Sequence, residues 1–209
     1  MPRDLLLPLL EDLDPTTLAV RAEELDYDGV WLGELWGTSA VVQLTDIAAR
    51  TDDLSLGSAI LNVFSRTPAV LAMTAATLDR VSGGRFRLGV GTSTEKAVTD
   101  LHGMAWDDPN PIRRAHETIE LTRAFLGRDN YDGRTVSDGE GRVAYDGEIF
   151  HVQDFPTLDR DVPIYHAALG DANCRVVARC CDGWIPHNVP FPDLAESFDY
   201  IREHTPDDR

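Results

Sequence analysis

The sequence predicts an α/β fold in which parallel strands alternate with the helices that cover them. Three observations predict it. Short runs that are apolar on both faces recur between amphipathic stretches, at intervals of about 30 residues, the length of a βα repeat. Asp14-Pro15, Thr67-Pro68 and Asn110-Pro111 each join a capping side chain to a proline suited to the first helical position. The stretch Leu78-Asp79-Arg80-Val81-Ser82-Gly83-Gly84-Arg85-Phe86-Arg87-Leu88-Gly89-Val90-Gly91-Thr92 reads as helix end, double-glycine turn, buried strand and a strand tip nearly free of side chains. Gly89 and Gly91 mark a place where a ligand or another backbone comes close, and ligands of parallel α/β proteins sit at the carboxyl ends of strands.

The elements follow in order. Residues 5–10 form a candidate first strand. The helix opened by Asp14-Pro15 carries Leu18, Ala22 and Leu25, and Gly29 ends it. Val30-Trp31-Leu32 is the second strand, closing in Gly33-Glu34. A helix over 39–50 carries Val41, Val42, Leu44, Ile47 and Ala48. Residues 54–61 are the third strand, with Gly57 inside it, and the Thr67-Pro68 helix with Val70, Leu71, Ala75 and Leu78 follows. Residues 85–91 are the fourth strand. The rhythm then breaks into an insertion over about 94–160. It holds a helix from Asn110-Pro111 (Ile112, Ala115, Ile119, Phe125), a polar Gly- and Asp-rich stretch over 128–142 read as mobile, and a hairpin turning at Asp146-Gly147. The insertion is expected to lie over the strand ends. Residues 162–168 are a fifth strand, 171–181 a helix, 183–186 a sixth strand and 192–204 a last helix. About six βα units are present, where a closed (β/α)8 TIM-barrel-like ring needs eight. The whole chain, 1–209, is expected to form one incomplete barrel domain.

Composition narrows the partners. The 209 residues are 43% apolar and carry a formal net charge of −17, with Lys96 the sole lysine. No basic cluster exists to meet nucleic acid. No apolar run is long enough to span a bilayer. Asp4, Pro8 and Glu11 interrupt any signal-peptide core, which points to the cytoplasm. Acidic pairs such as Asp52-Asp53, Asp107-Asp108 and Asp207-Asp208 are spread along the chain, a pattern suited to the salt-loaded cytoplasm of a halophile, haloarchaeal in type. Cys174, Cys180 and Cys181 lie at no zinc-ligand spacing and read as small buried side chains, and no metal is expected.

Several segments together resemble the bacterial-luciferase-like superfamily of flavin- or coenzyme F420-dependent oxidoreductases. They are Ala22-Glu23-Glu24-Leu25-Asp26-Tyr27-Asp28-Gly29-Val30-Trp31, Leu56-Gly57-Ser58-Ala59-Ile60, Arg66-Thr67-Pro68-Ala69, the 78–91 stretch, and Ala178-Arg179-Cys180-Cys181-Asp182-Gly183-Trp184. The resemblance covers nearly the whole chain, and its most specific part runs from Thr77 to Gly91. It implies a (β/α)8 barrel with FMN or coenzyme F420 at the strand ends, performing monooxygenation or hydride transfer on a small organic substrate. Gly91-Thr92-Ser93 is similar to the version found in deazaflavin users.

The resemblance also implies where the cofactor lies. A non-prolyl cis peptide that forms a bulge behind the central ring falls at Ala59-Ile60, against the plain alternative of a trans strand end. Asn62 is placed to hydrogen-bond the ring, or is an ordinary loop residue. Gly91, Thr92 and Ser93 offer N–H groups and hydroxyls, or form a simple turn. Ala168, Leu169 and Gly170 fall where the family holds the cofactor phosphate, although Asp171 departs from the family's usual Gly-Pro. Glu34 is a candidate catalytic carboxylate or an ion-pair partner of an arginine, and Leu35 stands where several deazaflavin enzymes have histidine. Glu95 is a second catalytic candidate, or an exposed helix-start acid. Trp36 stacks on a ring or covers the mouth. His166 and His187 lie near strand ends, where a lone histidine is more often structural. The gap after the sixth unit leaves strand edges open, and the resemblance implies a C-terminally shortened member, which in this family pairs as a dimer, so a homodimer is expected. The alternative is a non-catalytic relative that binds flavin or only a partner.

Overall fold

Strand β1 (Asp4–Leu7) opens the chain, followed by α1 (Pro15–Glu24), β2 (Gly29–Leu32), α2 (Ala40–Ala48), β3 (Ser55–Ser58), β4 (Leu61–Asn62), α3 (Pro68–Ser82) and β5 (Phe86–Gly91). A π-helical turn (Ala97–Leu101), α4 (Pro111–Phe125), β6 (Thr135–Ser137), β7 (Arg142–Asp146) and β8 (His151–Pro156) make up the insertion. The repeat resumes with β9 (Ile164–His166), α5 (Gly170–Cys180), β10 (Gly183–Trp184) and α6 (Phe191–His204). The computed structural model describes residues 2–8, 12–106, 110–128, 135–137 (backbone only), 141–187 and 189–206. Leu9 and Leu10 of the predicted first strand, Asp107-Asp108, Asp207-Asp208 and much of the polar 128–142 stretch lie outside these residues.

The strands pair in parallel in the order β1-β2-β3-β5-β9-β10, with β4 continuing β3 beside β5. This is the predicted α/β architecture. Residue parity divides the strands. Leu7, Val30, Leu32, Leu56, Phe86, Leu88, Val90 and Ile164 are buried beneath the helices. The alternate positions carry Asp4, Trp31, Ser55, Gly57, Arg87, Gly89, Gly91 and Tyr165, which make the inner wall. The sheet curls far enough for residues with two strands between them to meet there. The Trp31 ring of β2 meets the Tyr165 ring of β9 edge-on at 5.1 Å. Arg87 Nη1 of β5 reaches Asp4 Oδ2 of β1 at 2.8 Å. The inner wall is thus a polar and aromatic stack, and the apolar core lies between sheet and helices.

The predicted caps form. Asp14 accepts from Thr16 N and Thr17 N at 3.3 and 3.0 Å, and Asn110 accepts from Ile112 N and Arg113 N at 2.9 and 3.3 Å. Thr67 accepts from Val70 N at 3.3 Å. Gly83 takes the left-handed conformation (φ 68°) that closes α3, as the double glycine implied. At the amino ends of the strands Arg85 ties layers together. It donates to the carbonyls of Ala48, Thr51, Leu54 and Ser82 at 2.6–3.0 Å.

Four expectations are corrected. The α1 helix ends at Glu24, and Asp26 (φ 57°), not Gly29, makes the left-handed turn after it. The strand read as running through 54–61 is broken, at the place where the resemblance put a bulge. Gly57 pairs with Arg87 and Leu61 with Val90, so three residues (58–60) oppose two (88–89), a β-bulge. The hairpin does not turn at Asp146-Gly147, because Asp146 pairs with His151 and residues 147–150 form the loop. The wide loop has a cause in Glu117 of α4. This buried carboxylate accepts N–H bonds from Glu148, Ile149 and Phe150 at 2.8, 2.9 and 3.2 Å. Finally, β6 pairs with β7 inside the stretch read as mobile, making a three-stranded antiparallel sheet. That sheet packs on α4. Arg114 of α4 lies between that sheet's loop and the strand ends, the guanidinium 5.0 Å from the Phe64 ring and 5.6 Å from the Phe150 ring.

Candidate functional site

Parallel pairing gathers all the strand tips at one end, and most of the expected site residues meet there. The bulge organises the centre. Ser58 Oγ accepts from Gly89 N and donates to the Gly89 carbonyl, both at 2.9 Å, replacing the ladder bonds that the bulge removes. Ser58 O lies so close to Gly89 that a Cβ there would collide with it. Gly89 therefore answers to another backbone rather than to a ligand. The Ala59–Ile60 peptide is cis. Both residues are half-buried, and Ala59 N donates to the Leu32 carbonyl at 2.8 Å.

Asn62 follows on β4, opposite Gly91. Its Oδ1 accepts from Phe64 N at 2.8 Å, which fixes the side chain. Its Nδ2 is buried and has no hydrogen-bond partner among the described residues. An unmet buried donor costs about 1–3 kcal/mol, so this atom is open to a hydrogen-bond acceptor. A Cβ on Gly91 would stand 3.2 Å from Ile60 Cγ1 and 3.3 Å from Ala167 Cβ. Thr92 and Ser93 are half-buried beyond it, Ser93 at φ 63°. The Phe64 ring stacks on Trp106 at 5.6 Å beside them.

Across β9, Ala168 is buried while Leu169 and Gly170 are exposed. Gly170 (φ 73°) opens α5, whose cap position, Leu169, supplies no side-chain hydrogen bond to the first turn. Uncapped N–H groups at a helix start suit an anionic oxygen. Asp171 is exposed in that first turn.

The candidate carboxylates part company. Glu34 forms a two-pronged ion pair with Arg66, Nη1 to Oε1 and Nη2 to Oε2, the latter 3.0 Å. Glu34 Oε2 also accepts from Ala40 N at 2.9 Å, which caps α2 in place of Ser39. Of the two uses open to Glu34 in the sequence, it has the arginine pair. Glu95 is exposed, ahead of the π-helical turn. Trp36 is 85% exposed on the loop between β2 and α2. His166 is fully buried, Nδ1 facing the Val90 carbonyl at 3.2 Å and Nε2 the Asn173 side-chain amide at 3.3 Å. Burial pushes its pKa down, so the ring stays neutral and structural. His187 is exposed.

Sequence reasoning missed Arg66 as a site residue. Its signals were its place in the Arg66-Thr67-Pro68-Ala69 segment of the resemblance and its position directly before the Thr67-Pro68 cap, which puts it at a strand's carboxyl end. It also missed Ser58: the resemblance put a bulge at Ala59-Ile60 but said nothing of the hydroxyl that bonds to Gly89.

The profile of the luciferase-like monooxygenase family matches residues 14–207. A Mycobacterium tuberculosis protein assigned as a coenzyme F420-dependent oxidoreductase is 33% identical over 175 residues, covering 81% of this chain and 49% of that protein. The chain spans about half the length of the curated relatives it matches. Among solved structures, the coenzyme F420-dependent tetrahydromethanopterin reductase from Methanopyrus kandleri superposes with a TM-score of 0.77 at 24% identity, over 97% of this chain and 60% of its own. The monooxygenase RslO1 from Streptomyces bottropensis does so with 0.78 at 19% identity, over 98% and 65%. These two likenesses are of fold.

Proposed function

We propose, because this chain belongs to the luciferase-like monooxygenase family, that it is an oxidoreductase using coenzyme F420 on a small organic substrate. The observation that carries this is the buried, unmet Asn62 Nδ2 beside the cis Ala59–Ile60 bulge. The M. tuberculosis relative supports F420. Reduced FMN with monooxygenation is the second reading, favoured by the family's description and by the RslO1 likeness.

The residues present fit either group. When bound, the deazaflavin supplies hydride exchange, and reduced FMN supplies electrons to oxygen. Asn62 Nδ2 would donate to a polar atom of the ring. Ala59 and Ile60 would back the ring, while Gly91, Thr92 and Ser93 would line its edge. Ala168, Leu169 and Gly170 would lead the cofactor phosphate to the uncapped start of α5, where the Asp171 carboxylate in the same turn opposes it by repulsion. Glu34 would act through the Arg66 it positions. Glu95 is the carboxylate open to exchange a proton with substrate at the rim.

The finer readings rest on support of different kinds. The net charge of −17 and a single lysine favour a haloarchaeal-type, halophilic protein of the cytoplasm. Exposed Val42, Val70 and Met73 on the adjoining helices α2 and α3 favour a homodimer. Residues 1–209 are taken as one domain carrying the 94–160 insertion.

Titration of the purified chain with F420 and with FMN, each oxidised and reduced, tests the reading by cofactor fluorescence in high salt. Saturable F420 binding is expected. Asn62→Ala, which removes one buried donor, should weaken it about tenfold, equivalent to about 1.4 kcal/mol. Folded protein that binds neither cofactor would overturn the proposal.

A further inference from the structure

The sequence placed no metal in this chain, because its histidines and cysteines lie at no ligand spacing. The fold brings three donors together all the same. His116 and Glu120 stand four apart on α4 and so share one face of that helix. Their Nε2 and Oε1 atoms are 3.2 Å apart. Cys180 ends α5, which packs against α4. The His116 nitrogen, a Glu120 oxygen and the Cys180 sulfur all lie within 4.8 Å of one another. Ligands about 2.0–2.3 Å from a tetrahedral ion are spaced on that scale.

We infer that His116, Glu120 and Cys180 form a site for one divalent transition-metal ion, with Zn2+ the ion the donor set favours. One imidazole, one carboxylate and one thiolate are borderline, hard and soft donors in turn, a mixture suited to Zn2+ rather than to Mg2+ or Ca2+. The charges close as well. A dication with one thiolate and one carboxylate is neutral, and neutrality is what burial demands: Glu120 and Cys180 are each 1% exposed. Tyr145 Oη donates to Glu120 Oε2 at 2.8 Å. That bond orients the carboxylate so that Oε1 faces His116, the outer support that metal ligands commonly have. Arg123, one turn on along α4, pairs with Asp182 at 3.2 Å, which offsets its charge. The His116 side chain is 19% exposed, which leaves an entry path for the ion.

The site is distinct from the proposed cofactor mouth. Gly170 at the mouth and Cys180 at the trio are the two ends of α5, about 15 Å apart along its axis. Its consequence is mechanical: the ion would fasten the insertion helix, and through Tyr145 the hairpin, to the helix that follows the fifth barrel strand.

The test uses the full chain, stripped with a chelator, dialysed and titrated with Co2+ or Zn2+ alone. One equivalent of Co2+ should bind, with a thiolate-to-cobalt absorption band that Zn2+ bleaches, and Zn2+ should raise the Tm. Cys180→Ser should abolish the band, His116→Gln should weaken binding beyond about a hundredfold, and Tyr145→Phe by about 10–100-fold. Cys174→Ser, which leaves all three donors in place, should change neither. His116→Gln, at a partly exposed position, reads the site independently should Cys180→Ser fail to fold. Folded wild type without a thiolate band, a band that survives Cys180→Ser, or unchanged affinity in His116→Gln overturns the assignment.

Discussion

Gly89 is glycine because Ser58 fills the space where a side chain would stand. The Ser58 hydroxyl supplies both hydrogen bonds that the broken strand denies to Gly89, and its carbonyl occupies the Cβ position. Gly89→Ala must push that carbonyl away, undoing the bulge and its two bonds together. We expect a loss of about 3 kcal/mol, measured as a lower urea midpoint, from overpacking plus unmet buried groups. Cofactor affinity should fall with it, since Ala59, Ile60 and Asn62 follow directly from the bulge. A fully stable Gly89→Ala protein would show that the bulge does not depend on this contact. Glu34 illustrates the same dependence on distant neighbours. Its carboxylate was legible as a strand-end residue, but Arg66, its partner, is remote in sequence and was not. One carboxylate cannot announce whether it will meet substrate or guanidinium; only the position of the neighbouring strand's tip decides that.

At the scale of elements, the insertion hairpin is held by a residue outside it. Asp-Gly between alternating apolar residues favours a two-residue turn. Three backbone donors on one buried Glu117 carboxylate outweigh that local preference, since charge-assisted hydrogen bonds contribute about 1.5–3 kcal/mol each. Gly147 then has its own use, as any Cβ there would run into the Glu117 carboxylate and the Tyr145 ring. Glu117→Gln keeps the size and removes the charge, presenting an amide N–H2 to N–H donors. It should cost about 2–3 kcal/mol. Amide hydrogen exchange should quicken at residues 148–150 in particular, while the β1–β5 amides keep their protection. Uniform quickening would mean that Glu117 supports the whole fold instead. The barrel strands and helices were legible because each carries its own pattern: caps, apolar runs, a glycine at the α3 end. The wide hairpin loop and β6 were not, and the break in the third strand was legible only through the resemblance. Each is decided by a partner elsewhere in the chain, and Thr135-Val136-Ser137 offers one apolar residue, too few for an alternation to show.

The molecule as a whole is an acidic surface over a core that resists protons, and these two features respond differently to solution conditions. At −17 the folded state repels itself, and screening relieves that. Raising KCl from about 0.1 to 1 M, which shortens the Debye length from ~10 to ~3 Å, should therefore raise the urea midpoint at pH 7. An unchanged midpoint would remove the main support for halophilic character. Acid acts on particular groups. Burial lowers the pKa of His166 beneath its ordinary 6.5. As pH falls through 6.5 the unfolded chain takes up a proton that the folded one refuses, so stability contributed by the neutral ring is present above that pH and is lost below it. Asp182 and Glu23 add a second limb. Burial alone would raise Asp182, but hydrogen bonds from Arg128 and Ile164 N, and the charges of Arg123 and Arg128, hold it below its ordinary 3.8. For Glu23, N–H bonds from Asp53, Leu54 and Asp52 likewise overcome burial and hold it below 4.5. Carboxylates lowered on folding contribute stability above their unfolded pKa that disappears as pH falls further. The expected profile is thus a decline beginning below about pH 6.5 and steepening below about 4.5. His166→Gln, which cannot protonate, should be less stable at pH 7 yet flat between about 6.5 and 5, with its lower limb intact. A wild type equally stable at pH 7 and 5 in constant salt would mean that His166 gains its proton without cost, and that α5 does not seal it from water.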